Sequence, residues 1–341
     1  MNRHRNFGKL FVFTVWILIW LTTVAGLVRC SSPSSTSVLT GGEGVAAGMP
    51  TIESVTLGAD ELLRVVASTS IVADVVQHVG GEMVSLTVLV PPDSDPHAFQ
   101  PTPQEMAAVS NAHVFFINGA GLETFVEDLL SSVGGDVPVV PLSYGVELLH
   151  LEGDTAHEQT EGEGELRFDP HTWFDPYNVM IWCDNIVTVL GALDPAHKEM
   201  YQANAQAYRE KLEGLDAWIR EMVAQVPAQN RKLVTDHTAF SYFAHRYGFE
   251  QVGAIFPGYS TLSSPSAQDL AALEDKIRAY SVPAIFVGRT INPDLAQRVA
   301  EDTGVRLVFL YTGSLSEPGG PADDYIAFMR YDVSAIAEAL R

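Results

Sequence analysis

From about residue 63 onward, apolar and polar positions follow a regular alternation of two periods. Short apolar runs at 63–67, 85–90, 114–118 and 137–140 read as strands. Between them, stretches with apolar residues every three or four positions, at 71–79, 103–109 and 122–132, read as helices. A second series begins near Lys232, with strands at 233–235, 251–255, 284–287 and 306–310, helices at 239–247, 267–280 and 293–303, and a last helix ending near Leu340. Strand and helix in alternation predict a parallel sheet, so the pattern predicts an α/β protein of two lobes, each with a mostly parallel sheet flanked by helices. Helix starts carry their own signals. Thr102-Pro103-Gln104-Glu105 combines an N-cap, a first-turn Pro and a capping-box Glu; Ser266 with Asp269 forms a second box, and Asn292-Pro293 reads as N-cap and first turn.

The two series are separated by helical sequence. Asp175-Pro176 opens a helix to about Leu190, and Asp194-Pro195 opens another with no strong breaker before Pro227. Residues 196–226 would span about 46 Å at 1.5 Å per residue, enough for a rigid linker along both lobes. Its apolar stripe is Tyr201, Ala205, Tyr208, Leu212, Leu215 and Ile219, and Gly214 weakens it locally by about 1 kcal/mol.

Ahead of the first strand the pattern changes. Arg3, Arg5 and Lys9 precede an uncharged apolar run from Leu10 to Val28, followed by Arg29 and Cys30, which reads as an export or anchoring segment. Leu27-Val28-Arg29-Cys30 resembles a bacterial lipoprotein box with Arg29 in the place of a small residue. The two readings are lipid on Cys30 or an uncleaved N-terminal helix, and either puts the remainder outside the cytoplasm, in the periplasm if the segment is cleaved in a two-membrane cell. Residues 31–60 are rich in Ser, Thr and Gly and lack Lys and Arg, the composition of a tether. The expected organisation is 1–30 export or anchor, 31–60 tether, 61–190 first lobe with an acidic loop at 150–168, 191–228 linker helix, and 229–341 second lobe.

Charge narrows the partners. Forty-two acidic against twenty basic side chains leave a net charge of −22, which repels phosphate backbones and excludes nucleic acid as an expected partner. Apart from Cys30 there is one cysteine, Cys183, expected to be a small buried hydrophobe rather than half of a disulfide. A monomer is expected.

Three of the ten histidines lie in loops that follow strands or close the first lobe, where open α/β sheets place ligands. They are His97, His171 and His237, each beside or near an acid, Asp95, Asp169 and Asp236. Asp-Pro-His occurs twice, at 95–97 and 169–171, with Pro fixing each loop. Imidazole is the commonest neutral metal ligand, and a carboxylate often holds its second nitrogen. His78, His113, His197 and His245 lie in or beside regular elements and read as surface or packing residues, as do Tyr325, Phe328, Met329 and Tyr331 near the end of the chain.

From about Leu63 to Arg341 the chain resembles the cluster A-I substrate-binding proteins of bacterial ABC transporters for zinc and manganese. Asp93-Ser94-Asp95-Pro96-His97-Ala98-Phe99-Gln100-Pro101-Thr102 is similar to that family's first ligand loop. Asp169-Pro170-His171-Thr172-Trp173-Phe174-Asp175-Pro176 is similar to its second, and His237-Thr238-Ala239-Phe240-Ser241-Tyr242-Phe243 with Tyr247-Gly248 to its third. The resemblance implies a metal site in the interlobe cleft with His97, His171 and His237 as ligands, and a membrane permease as partner. The fourth position departs: Gly313 stands where much of the family has a carboxylate, leaving water, a backbone oxygen or another carboxylate such as Glu317. Three imidazoles and one open position suit Zn(II), with Mn(II) or Fe(II) as the alternative within the family. A three-histidine zinc hydrolase is the rival from another class, although no general-base motif marks one. The acidic loop carries His150 and His157, and reads either as a weak metal-collecting loop or as a solvated insertion.

Overall fold

The computed structural model describes residues 49–58, 61–133, 137–150 and 168–341; the apolar run at 10–28, Cys30 and His157 lie outside them. The chain lays down β1 (Leu63–Thr69), α1 (Ser70–Gly80), β2 (Val84–Val90), α2 (Pro103–Ser110), β3 (Val114–Ile117), α3 (Val126–Val133) and β4 (Val139–Pro141). Then come α4 (Pro176–Leu193) and α5 (Lys198–Val223). The second lobe follows: β5 (Lys232–Thr235), α6 (Ser241–Tyr247), β6 (Glu250–Ala254), α7 (Ala267–Tyr280), β7 (Ala284–Gly288), α8 (Asp294–Thr303), β8 (Arg306–Leu310) and α9 (Tyr325–Leu340). All pairings between these strands are parallel, with orders β2-β1-β3-β4 and β6-β5-β7-β8.

Both sheets repeat one topology. The chain leaves the first strand of each lobe to one side and then crosses to its other side, so a crevice opens at the carboxyl ends of the strands where the order reverses. Those ends of the two sheets contribute the loops described below.

The strands read as continuous apolar runs because both faces are covered. Val65, Ala67 and Phe116 enter one core while their neighbours Val66 and Phe115 enter another on the opposite face. The larger core is continuous across the molecule. It takes Trp182 and Ile186 from α4, Tyr208 and Leu212 from α5, Phe243 from α6, Phe286 from β7, and Phe328 and Ile336 from α9. Cys183 is a buried free thiol in that core, and Tyr325, Phe328 and Met329 are buried there too. Among the described residues no helix is long and apolar enough to cross a membrane.

Several helix boundaries differ from the sequence expectation, among them the start of α6, at Ser241 rather than 239. The long helix covers 26 residues, about 39 Å, rather than 196–226. Its start is displaced by a turn at Pro195–His197, where the Asp194 carboxylate accepts the Tyr201 hydroxyl at 2.9 Å and meets His197 Nδ1 at 2.6 Å. At the other end the Arg231 guanidinium donates to the carbonyls of Val223 and Val226, closing the helix before Pro227. The helix expected from 122 starts at Val126, because Leu122 and Phe125 are buried from a loop and only mimic helical spacing. In α8 the first helical residue is Asp294, whose N–H is taken by Asn292 Oδ1 at 2.9 Å.

Gly214 lies on the exposed side of α5, and a methyl group there would meet nothing within 4 Å. Gly214→Ala is therefore expected to stabilise the fold by about 1 kcal/mol, whereas Leu212→Ala, two positions away and fully buried, should cost about 2–5 kcal/mol. Urea unfolding of the two variants checks both signs.

Candidate metal centre

Each sequence-predicted histidine is delivered by a loop at the carboxyl end of a sheet, or by the segment that closes the first lobe. His97 follows β2, His171 precedes α4, and His237 follows β5. All three are buried, and they converge: Nε2 of His171 stands 3.2 Å from Nε2 of His97 and 3.0 Å from Nε2 of His237. One ring nitrogen from each lies within 4.8 Å of those of the others, and no carboxylate joins this group among the described residues. Nitrogens around a tetrahedral zinc ion stand about 3.3 Å apart, so the spacing is close to that of one tetrahedral face.

Which nitrogen carries a proton follows from the neighbours. Asp169 Oδ1 accepts the backbone N–H of His171 at 2.9 Å and contacts its Nδ1 at 2.7 Å. An oxygen already accepting one N–H acts as an acceptor for the ring as well, so Nδ1 is the donor and Nε2 bears the lone pair. His237 repeats the arrangement: Asp236 Oδ1 accepts its backbone N–H at 2.5 Å and meets its Nδ1 at 2.6 Å. Asp236 is fixed in turn by the backbone N–H of Gly288, which donates to Oδ2. A Cβ at position 288 would stand 3.0 Å from that same oxygen, so glycine allows the approach.

His97 is different. Asp95 Oδ1 takes only its backbone N–H, at 3.0 Å, while Oδ2 accepts the hydroxyl of Thr261 from the other lobe at 2.7 Å. The expectation of an adjacent acid behind each ring holds for Asp169 and Asp236, whereas Asp95 braces a backbone.

The electrostatics follow the same division. Burial, reinforced by the neighbouring rings, holds His97 well below the ordinary histidine value, and burial does the same to His171. Burial also works against a proton on His237, but Asp236 outweighs it, helped by Asp95 and Asp169, and this ring stays above its ordinary value. A proton on His237 Nε2 would donate to His171 Nε2, in the space a metal ion would take. Burial pushes Asp169 up to about 7 despite hydrogen bonds from Ser241 and the backbone of His171.

Sequence reasoning missed several residues behind the tripod. Asn118 donates to the carbonyl of Pro170 at 2.9 Å and accepts Thr172 Oγ1 at 3.2 Å, fixing the His171 loop. Glu123 accepts the backbone N–H groups of Asn118 and Gly119 at 2.7 and 3.0 Å and the Ser68 hydroxyl at 2.7 Å, so it ties the loop after β3, and with it Asn118, to the end of β1. The available signal was the Gly-Ala-Gly turn after the third strand followed closely by Glu. Tyr242 on α6 donates to the Asp169 carbonyl at 3.0 Å, crossing between lobes.

Gly313 sits in a loop pinned on both sides. Trp173 Nε1 donates to the Thr312 carbonyl at 3.1 Å, and the Leu315 N–H is accepted by Ser70 Oγ at 3.0 Å. A Cβ at 313 would come within 2.8 and 2.9 Å of the Pro96 ring, next to His97. The place of a fourth side chain is thus filled by the His97 loop itself. Glu317 is exposed and stands apart from the three histidines. His150 forms an isolated bridge with Phe168 at the neck of the acidic loop and is likewise outside the group.

A family model described as the zinc-uptake complex component A, periplasmic, matches residues 65–339. The manganese-binding lipoprotein MntA of Halalkalibacterium halodurans is 34% identical over 297 residues, covering 87% of this chain and 94% of that protein. The iron-binding protein YfeA of Yersinia pestis is 34% identical over 276 residues, covering 81% and 85%. Among solved structures, the periplasmic zinc-binding protein TroA from Treponema pallidum matches with a TM-score of 0.73 at 28% identity, over 81% of this chain and 98% of that one. The chain belongs to the zinc-uptake complex component A family: it is the divalent-metal-binding, substrate-binding component of an ABC importer, not an enzyme.

Proposed function

We propose that the protein captures Zn(II) outside the cytoplasm with His97, His171 and His237 as its ligands, water completing the coordination, and presents it to the permease of its importer. The observation that carries this reading is the convergence of three imidazole nitrogens with, among the described residues, no carboxylate beside them. Borderline-soft Zn(II) accepts a nitrogen-rich, four-coordinate set, whereas Mn(II) favours more oxygen ligands. The filled space beside Gly313 supports water as the fourth ligand. The names of relatives favour a second reading, since MntA is called manganese-binding and YfeA iron-binding. Mn(II) or Fe(II) would have to recruit its oxygen ligands from water.

The rest of the chain fits delivery from a membrane surface. Lipid on Cys30, or an uncleaved N-terminal helix, holds a monomer through the 31–60 tether, and the two lobes at 61–190 and 229–341 flank the 191–228 linker. MntA, also described as a lipoprotein, is similar over 87% of the chain.

Competition titration of the purified protein is expected to give tighter binding of zinc than of manganese; the reverse order would transfer the reading to Mn(II). His237→Ala should weaken zinc binding by about a hundredfold or more, since even the loss of a group behind a ligand costs about 10–100-fold. Unchanged affinity would remove the ligand assignment. Protons compete for the same lone pairs, and for His237 first because Asp236 holds that ring above the ordinary histidine value, so affinity should begin to fall while the pH is still above about 6.5, measured by titrations across that range. Gly313→Ala is expected to lower zinc affinity about tenfold, by pushing Pro96 and with it His97, which the same titration reads.

A further inference from the structure

His97 belongs to the first lobe by sequence, yet the contacts that shape its loop come largely from the second. Asp93, in a left-handed conformation with φ 54°, donates its N–H to the Leu315 carbonyl at 3.0 Å. Asp95 accepts the Thr261 hydroxyl at 2.7 Å, and the Pro96 ring rests against Gly313. Asp95 in turn accepts the His97 N–H at 3.0 Å, so Thr261 and His97 are joined through one carboxylate. The Phe99 ring against Phe125 is the loop's apolar hold on its own lobe. His171 and His237 need no such arrangement, because Asp169 and Asp236 fix their rings from within their own lobes.

His97 also borders open space. A groove of about 470 Å³ runs along the first lobe beside it, lined by Phe99, Met106, Phe125 and Leu129 and overhung by Leu262, the residue after Thr261. Of the three histidines, His97 is the one that lines this groove. Leu262 is 64% exposed, so it sits there without a core of its own.

On the reading that the three histidines hold the metal, we propose that Thr261 is a positioning residue: its hydrogen bond to Asp95 couples lobe closure to the placement of His97, making His97 the ligand released first, toward the groove. Parting of the lobes at this contact frees one oxygen of Asp95. The backbone clamp on His97 then loosens while the other two rings keep their carboxylates. The metal is left with two protein nitrogens and exchanges with solvent or with an acceptor.

Thr261→Val keeps the shape of the side chain and deletes the hydroxyl. Stopped-flow release of zinc to an excess of chelator should be about tenfold faster in this variant, the effect of one lost hydrogen bond to a carboxylate, with the association rate unchanged. Thr261→Ser should restore the slow rate. In an Asp95→Ala background the further change Thr261→Val should have no effect, because the two act through one bond. The d–d spectrum of the Co(II)-loaded Thr261→Val protein should shift from a tetrahedral toward a higher-coordinate form as water replaces His97. Unchanged release from Thr261→Val, or an undiminished effect in the Asp95→Ala background, would overturn the coupling. His97→Ala in the same assay separates the two levels: fast release there together with slow release from Thr261→Val rejects the latch and keeps the ligand set. Slow release from His97→Ala rejects the ligand set, and the latch with it.

Discussion

Three imidazole nitrogens with outward lone pairs do not gather at 3.0–3.2 Å unless something holds them there. Two of the rings are turned so that Nδ1–H is spent on an aspartate, which leaves Nε2 of His171 and of His237 facing each other across the lobes, where a proton or a metal ion on the His237 side relieves the lone-pair repulsion. This crowding is the constraint around which the neighbouring structure is organised. It is held by a series of bonds across the lobe boundary, from Tyr242 to the Asp169 carbonyl, Trp173 to the Thr312 carbonyl, Thr261 to Asp95, and Tyr325 to the Trp173 carbonyl at 2.7 Å. A cation placed among the nitrogens converts the repulsion into attraction, so the geometry is one that a metal ion stabilises and its loss loosens.

The core explains how such a site is kept in register. The lobes are not two cores joined by a string: one apolar cluster passes from β1 and α1 through α4 and α5 into α6 and α9. The long helix, its ends closed by Asp194 at one side and Arg231 at the other, contributes an unbroken buried stripe to that cluster. Large rotations between the lobes would expose it. At the cleft the loops of the two lobes are joined by hydrogen bonds, such as Thr261 to Asp95 and Tyr242 to the Asp169 carbonyl.

Much of this was legible in the sequence, and the reasons differ by feature. The strands were visible because both faces of each sheet are covered, which turns them into plain apolar runs such as 114–118 and 284–287. The capping boxes at Thr102 and Ser266 are local chemistry, and both are present. The three histidines stood out through the repeated Asp-Pro-His and the family resemblance, and the structure brings them together. What escaped was nonlocal. The Gly-Ala-Gly turn marks the loop before Glu123 but not that its carboxylate reaches Ser68 on β1, and nothing near Thr261 announces a bond to Asp95, 166 positions away. Leu122 and Phe125 misled for the opposite reason, since burial from a loop produces the same spacing as a helix.

The glycine at position 313 bears on the electrostatics of the site. A divalent ion in a buried site needs compensating charge, and three neutral imidazoles supply none directly. Asp169 and Asp236 supply it from behind, each polarising a ring through Nδ1–H, so two negative charges stand one imidazole away from the proposed ion. Burial pushes Asp169 up to about 7, whereas Asp236 has the Gly288 N–H donating to its second oxygen. With two aspartates already behind the rings, a carboxylate at 313 would add a further negative charge, and the Pro96 ring occupies the space that a Cβ there would need.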